Sequence, residues 1–418
     1  MSVHLGGFES THIFGSGQDV LGSTNHIEHW RADLERLLDE GITTLRYSAP
    51  WHRIEPEPGV YDWSWFDEPM RFMQAQGMQP IMDPLHHTSF PSWLKDGFLN
   101  PGFPNLYVRF LKQLCDRYPW ANMYTVFNEP LPTTLFCSYT GMWYPHLRSD
   151  RNFVRMLMQV GRTICTGCDC LSRRVGAQFV HVETCEHHQP RDKRSSKWTR
   201  FVNARRFLVT DLILGRIGRS HQLYSYLIEN GATERELAWF ENHPGRIDIL
   251  GLDYYIHSEM DWSYSPERQA VELRPQVQNP RGFASIARDY IARYRLPVML
   301  AETNIRGTIG ERISWLKLME QECEALSRSG VDFRGFCWYP SIDTTDWSNG
   351  CTRYTGEIDP QGIWILREGS LERVESDLSE IYGQLARGEI SSRQLPDYGF
   401  EPELRQRVCW YPGVIARS

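Results

Sequence analysis

The chain has no apolar run approaching the roughly 20 residues that a membrane helix needs, so no membrane partner is expected. Its amino terminus lacks a basic stretch followed by an apolar one, the mark of an export signal, and a cytoplasmic location is expected. Positive charge is not in excess. Lysine and arginine number 45 against 52 acidic residues, a net charge of −7, which argues against nucleic acid and suits a neutral substrate. The 10 cysteines are scattered, several in apolar strand or helix patterns (Cys115, Cys337), and read as reduced thiols. Cys165-x-x-Cys168-x-Cys170 and Cys185, close to His181, His187 and His188, invite a zinc reading. The spacing is not a pair of Cys-x-x-Cys pairs, and three of the four fall at the end of a helical pattern. No metal and no cofactor are therefore expected. There is no internal repeat, no low-complexity segment and no break in composition.

What is present is an alternation of strand-like and helix-like runs, the pattern of βα units. Strands are predicted at 6–10, 44–48, 80–84, 124–128, 176–182, 247–255, 298–302 and 335–339. Between them, apolar residues recur at three- and four-residue intervals over 30–40, 65–76, 106–117, 153–171, 281–293 and 313–327. Gly41 and Gly77 follow two of these helices, where a left-handed cap is expected. The pattern predicts an α/β fold, a single (β/α)8 TIM barrel over 1–390. A last helix is predicted at 371–385. Residues 391–418, rich in Pro, Arg and aromatics, are expected to pack on the barrel as a carboxyl-terminal extension.

Two stretches carry the functional reading: Thr125-Val126-Phe127-Asn128-Glu129-Pro130 and Val298-Met299-Leu300-Ala301-Glu302-Thr303-Asn304. Each is an apolar run ending on a glutamate, and a residue at the carboxyl end of a barrel strand points into the active-site mouth. A pair of carboxyls so placed is what glycoside hydrolysis requires. One protonates the departing oxygen, and the other attacks the sugar carbon or activates water. Glu129 is expected to be the general acid/base and Glu302 the nucleophile. Arg46, at the second strand end, is placed to favour the ionised form of Glu302 while serving as an internal ion pair. Asn128 suits a hydrogen bond to the sugar hydroxyl beside the reacting carbon.

These residues sit in a wider pattern. Arg46-Tyr47-Ser48-Ala49-Pro50-Trp51-His52-Arg53-Ile54-Glu55-Pro56, Leu85-His86-His87, Asn128-Glu129-Pro130, Gly251-Leu252-Asp253-Tyr254-Tyr255 and Ala301-Glu302-Thr303-Asn304 follow one another as strand-end motifs. In this the chain resembles family 1 of the glycoside hydrolases, the β-glucosidase family of retaining (β/α)8 enzymes, or a divergent sister family of the same clan. The resemblance implies that His86 binds a sugar hydroxyl, with His87 a core histidine. It implies that Tyr255 donates to Glu302. Trp338, Asp346 and Trp347 would form the eighth-strand sugar-binding loop, with the two tryptophans as a stacking platform. Departures are expected to alter sugar specificity: Thr303 separates Glu302 from Asn304, Asp346 replaces a glutamate, Glu9 a glutamine and Asp253 an asparagine. Asp346 is one methylene short, so weak turnover of simple glucosides is expected. Glu9 and Asp253 would repel a phosphorylated sugar.

Alternation along the fifth strand puts His181 and Glu183 on one face. They either touch the leaving group across the cleft or are polar residues at a loop start. The expected function is a retaining β-glycoside hydrolase acting by double displacement on a carbohydrate or glycoside. A transglycosylase with the same carboxylates and a sugar-binding pseudoenzyme are the alternatives.

Overall fold

Eight parallel strands close into a barrel: β1 (His4–Gly7), β2 (Thr44–Ser48), β3 (Gln79–Asp83), β4 (Met123–Tyr124), β5 (Gln178–Thr184), β6 (Ile249–Asp253), β7 (Val298–Thr303) and β8 (Phe333–Trp338), each paired with its sequence neighbour and β8 with β1. The computed structural model describes residues 3–274 and 277–401. The principal helices over the barrel are α1 (His26–Asp39), α2 (Ser64–Gln76), α3 (Phe103–Arg117), α4 (Asp150–Ser172), α5 (Phe283–Tyr294), α6 (Ile309–Arg328) and α7 (Asp377–Ala386). Among the described residues no helix is long and apolar enough to cross a membrane.

Strand alternation explains two separate apolar layers. Leu5, Ile81, Val180, Val182, Ile249, Met299, Ala301, Cys337 and Tyr339 fill the barrel interior. Their strand neighbours, among them Leu45, Leu250, Leu252, Leu300 and Phe336, face outward and join the helices in a larger core. The register of β7 against β6 is broken once. Leu300 pairs with Leu252 and Glu302 with Asp253, so β7 carries one extra residue there, a bulge. Ala301 lies in the interior cluster, while the Thr303 hydroxyl donates to the Tyr254 carbonyl and accepts from the indole of Trp315 on α6. Plain alternation would turn Glu302 outward. The bulge brings it inward.

The helices form where the periodicity placed them, and α2 ends on Gly77 with φ of +70°, the left-handed cap that glycine adopts without strain. The last helix begins later than predicted. Residues Arg373–Val374 pair with Ile365–Leu366, and Ser376 then caps α7. The long β5–β6 connection holds elements that lacked a clear period. These are four short helices (Ser196–Arg205, Leu208–Ile213, Tyr224–Glu229, Glu234–Asn242) and the strand His187–Pro190. That strand pairs with Glu259–Ser265, which in turn pairs with Ala270–Arg274, giving a small side sheet. Beyond α7, Leu395 is buried, and the amides of Tyr398 and Glu401 donate to Ser314 and Glu311 of α6. The remainder of the 391–418 extension lies outside the described residues.

Candidate active site

A cavity opens at the carboxyl ends of the strands. It is lined by Glu9, His87, Glu129, Pro132, Phe136, Trp143, Thr184, Glu186, Tyr255, His257, Ser258, Glu302, Asn304, Arg306, Trp347 and Gln361. Glu129 and Glu302 both reach it, and with Asp253 beneath them they bring one carboxylate oxygen each within 4.8 Å of one another.

Glu302 is held on both oxygens. The Arg46 guanidinium donates to Oε1, and the Tyr255 hydroxyl donates to Oε2 at 2.6 Å. Arg46 also donates to Asn128 Oδ1 at 2.6 Å, reaches Asp83 Oδ2 at 3.4 Å, and lies over the Tyr339 ring at 4.5 Å. Glu129 is set differently. Its backbone is left-handed (φ 47°), uncommon for a residue with a side chain, and its amide donates to the Val182 carbonyl at 3.1 Å. Pro130 then opens the helix Pro130–Ser138 at the position that suits proline. His87 Nε2 is 3.8 Å from Glu129 Oε2. Burial, then the charges of Glu302 and Glu183, push the Glu129 carboxyl well above the usual range. Burial and the neighbouring His86 drive His87 far down, so it is neutral.

One wall is a chain of buried charges. His86 Nδ1 lies 2.7 Å from Asp83 Oδ2, and its Nε2 lies 3.2 Å from Glu9 Oε1. Burial alone would lower the His86 pKa, but the two carboxylates raise it to about 10. Burial alone would raise Glu9, but His86 and the Thr11 hydroxyl hold it at about 2. Glu9 Oε1 also accepts from the amides of Ser10 and Thr11 and from the Thr11 hydroxyl. Its other oxygen is the one left for the cavity. Beside it the lining is apolar, with Pro132, Phe136, Trp143 and Trp347; the rings of Trp143 and Trp347 pack against His87 at 5.0 and 5.9 Å and meet each other edge-on at 6.5 Å.

Several expected site residues lie elsewhere. Trp338 is fully buried outside the barrel, donating to the Gln361 carbonyl at 2.9 Å, because Cys337 and Tyr339 take the inward positions of β8. It cannot be a stacking platform, whereas Trp347 lines the cavity. Asp346 is fully buried in its own loop, accepting from the amides of Thr355 and Gly356, the Thr355 hydroxyl and Asn349 Nδ2. No oxygen of it is offered to a ligand. His181 and Glu183 face away from the cavity, because Val180 and Val182 point into the barrel. His181 Nε2 meets Thr210 Oγ1 at 3.1 Å, and burial lowers its pKa to about 4. Glu183 accepts from the amides of Leu131 and Thr184 behind Glu129, with burial pushing it up to about 8. Of the adjacent histidines it is His87 that borders the cavity, while His86 and Asn128 lie just beneath its surface.

Trp143, Thr184, Glu186, His257, Arg306 and Gln361 border the cavity without having been singled out. Thr184 ends β5, and the other five come from loops whose course no periodicity encodes. The four cysteines near His181 do not converge on a metal site: Cys165 donates to the Ile213 carbonyl and Cys168 to that of Arg246.

Comparison with known proteins meets this geometry from two sides. The fold is that of β-glucosidase from Thermotoga maritima, solved in complex with deoxynojirimycin, at TM-score 0.74 and 17% identity over 87% of each chain. The β-galactosidase family model of glycoside hydrolase 42 matches residues 23–100. A β-galactosidase of Thermus thermophilus is 32% identical over 72 residues, 17% of this chain. β-Galactosidase BgaH of Haloferax lucentense is 34% identical over 105 residues, 25% of this chain. The matched stretches span only 11% and 15% of those curated relatives. The family model's span holds β2, β3 and the Arg46 and His86 motifs, so the strand-end motifs there are similar to those of β-galactosidases, and the barrel as a whole is similar in fold to the β-glucosidase.

Proposed function

We propose that the chain hydrolyses β-linked glycosides with retention, through a glycosyl ester on Glu302. The carrying observation is the spacing of Glu129 and Glu302, oxygens within 4.8 Å across one cavity. Retention calls for carboxyls about 5–5.5 Å apart, whereas inversion calls for about 6.5–9.5 Å to admit a water. Their surroundings divide the labour. Glu302, gripped by Arg46 and Tyr255, is the nucleophile. Glu129, kept protonated by burial and neighbouring carboxyls, gives its proton to the leaving oxygen and then takes one from water.

The named activities of the similar proteins make glucosides and galactosides the first substrates to try. Asp346 no longer argues against glucose, since its carboxylate serves the loop. Glu9 sets the selectivity instead. As a fixed carboxylate with one oxygen toward the cavity it accepts from sugar hydroxyls and repels phosphate. The test is inactivation by dinitrophenyl 2-deoxy-2-fluoro-β-glucoside and -galactoside, with mass analysis of the peptides. Stoichiometric labelling of Glu302 is expected. Turnover with inversion, or a label on another residue, would remove the assignment.

A further inference from the structure

Asp253 ends β6, in register with Glu302 on β7. It is fully buried, and neither carboxyl oxygen has a hydrogen-bond partner. The charges that act on it are those of Glu302 on β7, Glu129 after β4, Arg46 on β2 and, least, Glu183 on the outer face of β5. Arg46 is already committed to Glu302, Asn128 and Asp83. Three carboxylates cannot all stay ionised in a buried site around one guanidinium. Burial, then Glu302 and Glu129, push Asp253 well above the usual carboxyl range. Asp253 is therefore a neutral acid, an O–H donor that makes no hydrogen bond at rest, with an oxygen of Glu129 and one of Glu302 within 4.8 Å. Both oxygens of Glu302 already accept, from Arg46 and Tyr255. Glu129, a weak acceptor while protonated, becomes a charged and much stronger one once it has given up its proton.

We propose that Asp253 is a positioning residue that donates a hydrogen bond to the Glu129 carboxylate created when the leaving group departs. This rests on the reading of Glu129 as the acid/base. The proton on the aglycone comes from Glu129, Asp253 keeps its own, and one O–H···O contact forms, so no co-reactant is needed. Such a donor helps substrates whose leaving group must be protonated and does nothing for those that leave as anions.

The experiment compares wild type, Asp253→Leu and Asp253→Asn on an alkyl glycoside and a dinitrophenyl glycoside of the same sugar. Leu keeps the bulk and lacks the donor. It should lower kcat/KM for the alkyl glycoside roughly ten- to a hundredfold, the worth of a hydrogen bond to a charged group, and change the dinitrophenyl glycoside less than about threefold. Asn, whose amide donates, should restore the alkyl substrate to within about threefold of wild type. Equal losses on both substrates, no loss with Leu, or no rescue by Asn would each overturn the proposal. The infrared difference between wild type and Asp253→Asn needs no turnover. It should show the carbonyl stretch of a protonated carboxyl at neutral pH, and its absence would also overturn the idea. If Glu129→Ala treats both leaving groups alike, the acid/base reading fails while the infrared result stands on its own.

Discussion

Glu302 and Glu129 share one cavity and almost nothing else. Glu302 stands on a barrel strand, with a guanidinium on one oxygen and a phenol on the other. Glu129 sits in a left-handed turn between β4 and a fully buried helix, beside a neutral histidine and in front of a second buried carboxyl. Burial among carboxyls pushes Glu129 toward its acid form, while the Glu302 carboxyl is gripped by two donors. The difference lies in the neighbours, which is how paired carboxyls acquire separate roles.

The sharpest way to break this contrast is to remove the strand-borne partner. Glu302→Gly should cost roughly 10⁴-fold or more in hydrolysis, the scale seen when a nucleophile is deleted. Added azide should restore turnover with an α-glycosyl azide as product, identified by NMR. Activity surviving without an anion would dissolve the distinction. Next comes Glu129→Ala. It should cost roughly 10²–10⁴ on alkyl glycosides, the usual contribution of a general acid, and spare dinitrophenyl glycosides. Azide should then yield the β-azide.

The charged wall offers a smaller effect. Glu9 is held at about 2 against an ordinary 4.5, so its stabilisation is present above 4.5 and lost as pH falls toward 2. His86 is raised to about 10 from 6.5, so its share is full below 6.5 and lost as pH rises toward 10. Glu9→Gln should therefore cost most between pH 4.5 and 6.5, about 3 kcal/mol for a buried pair that loses a partner. Denaturant unfolding across pH would read this, and a penalty independent of pH would count against the pair. The smallest effect belongs to the loop. Asp346→Glu should lower stability by about 1 kcal/mol through its crowded amide bonds and leave glucoside turnover no better. An improved glucosidase would mean that Asp346 does reach the sugar.

The barrel was legible because eight apolar runs separated by helical periods leave few alternatives, and the two cavity glutamates were legible from the apolar runs they follow, Glu302 within β7 and Glu129 in the turn beyond β4. Facing was harder. On β5 the odd positions hold His181 and Glu183 and the even ones Val180 and Val182, and polarity suggested the wrong set for the interior. Trp338 misled in the same way, since a large aromatic fits either layer and only Cys337 and Tyr339, seen inside, decide it. Asp346 was read as ligand-facing because sequence does not reveal that its loop bends back upon it. Trp143 and Gln361 come from loops, which carry no period to read. Asp253 was visible as a departure from a pattern, but its lack of partners required coordinates.

The extra residue in β7 has a consequence for how this gene tolerates change. Parity along that strand flips between Leu300 and Glu302, so the carboxyl points inward only because the count is off by one. An in-frame loss of that one extra codon would leave Leu300 facing outward and the glutamate directly after it facing inward, a regular pleat with the same pairing. Flattening the bulge with every residue kept would instead turn the carboxyl toward the helices. The strand therefore has more to lose from a change that irons out its kink than from one that shortens it.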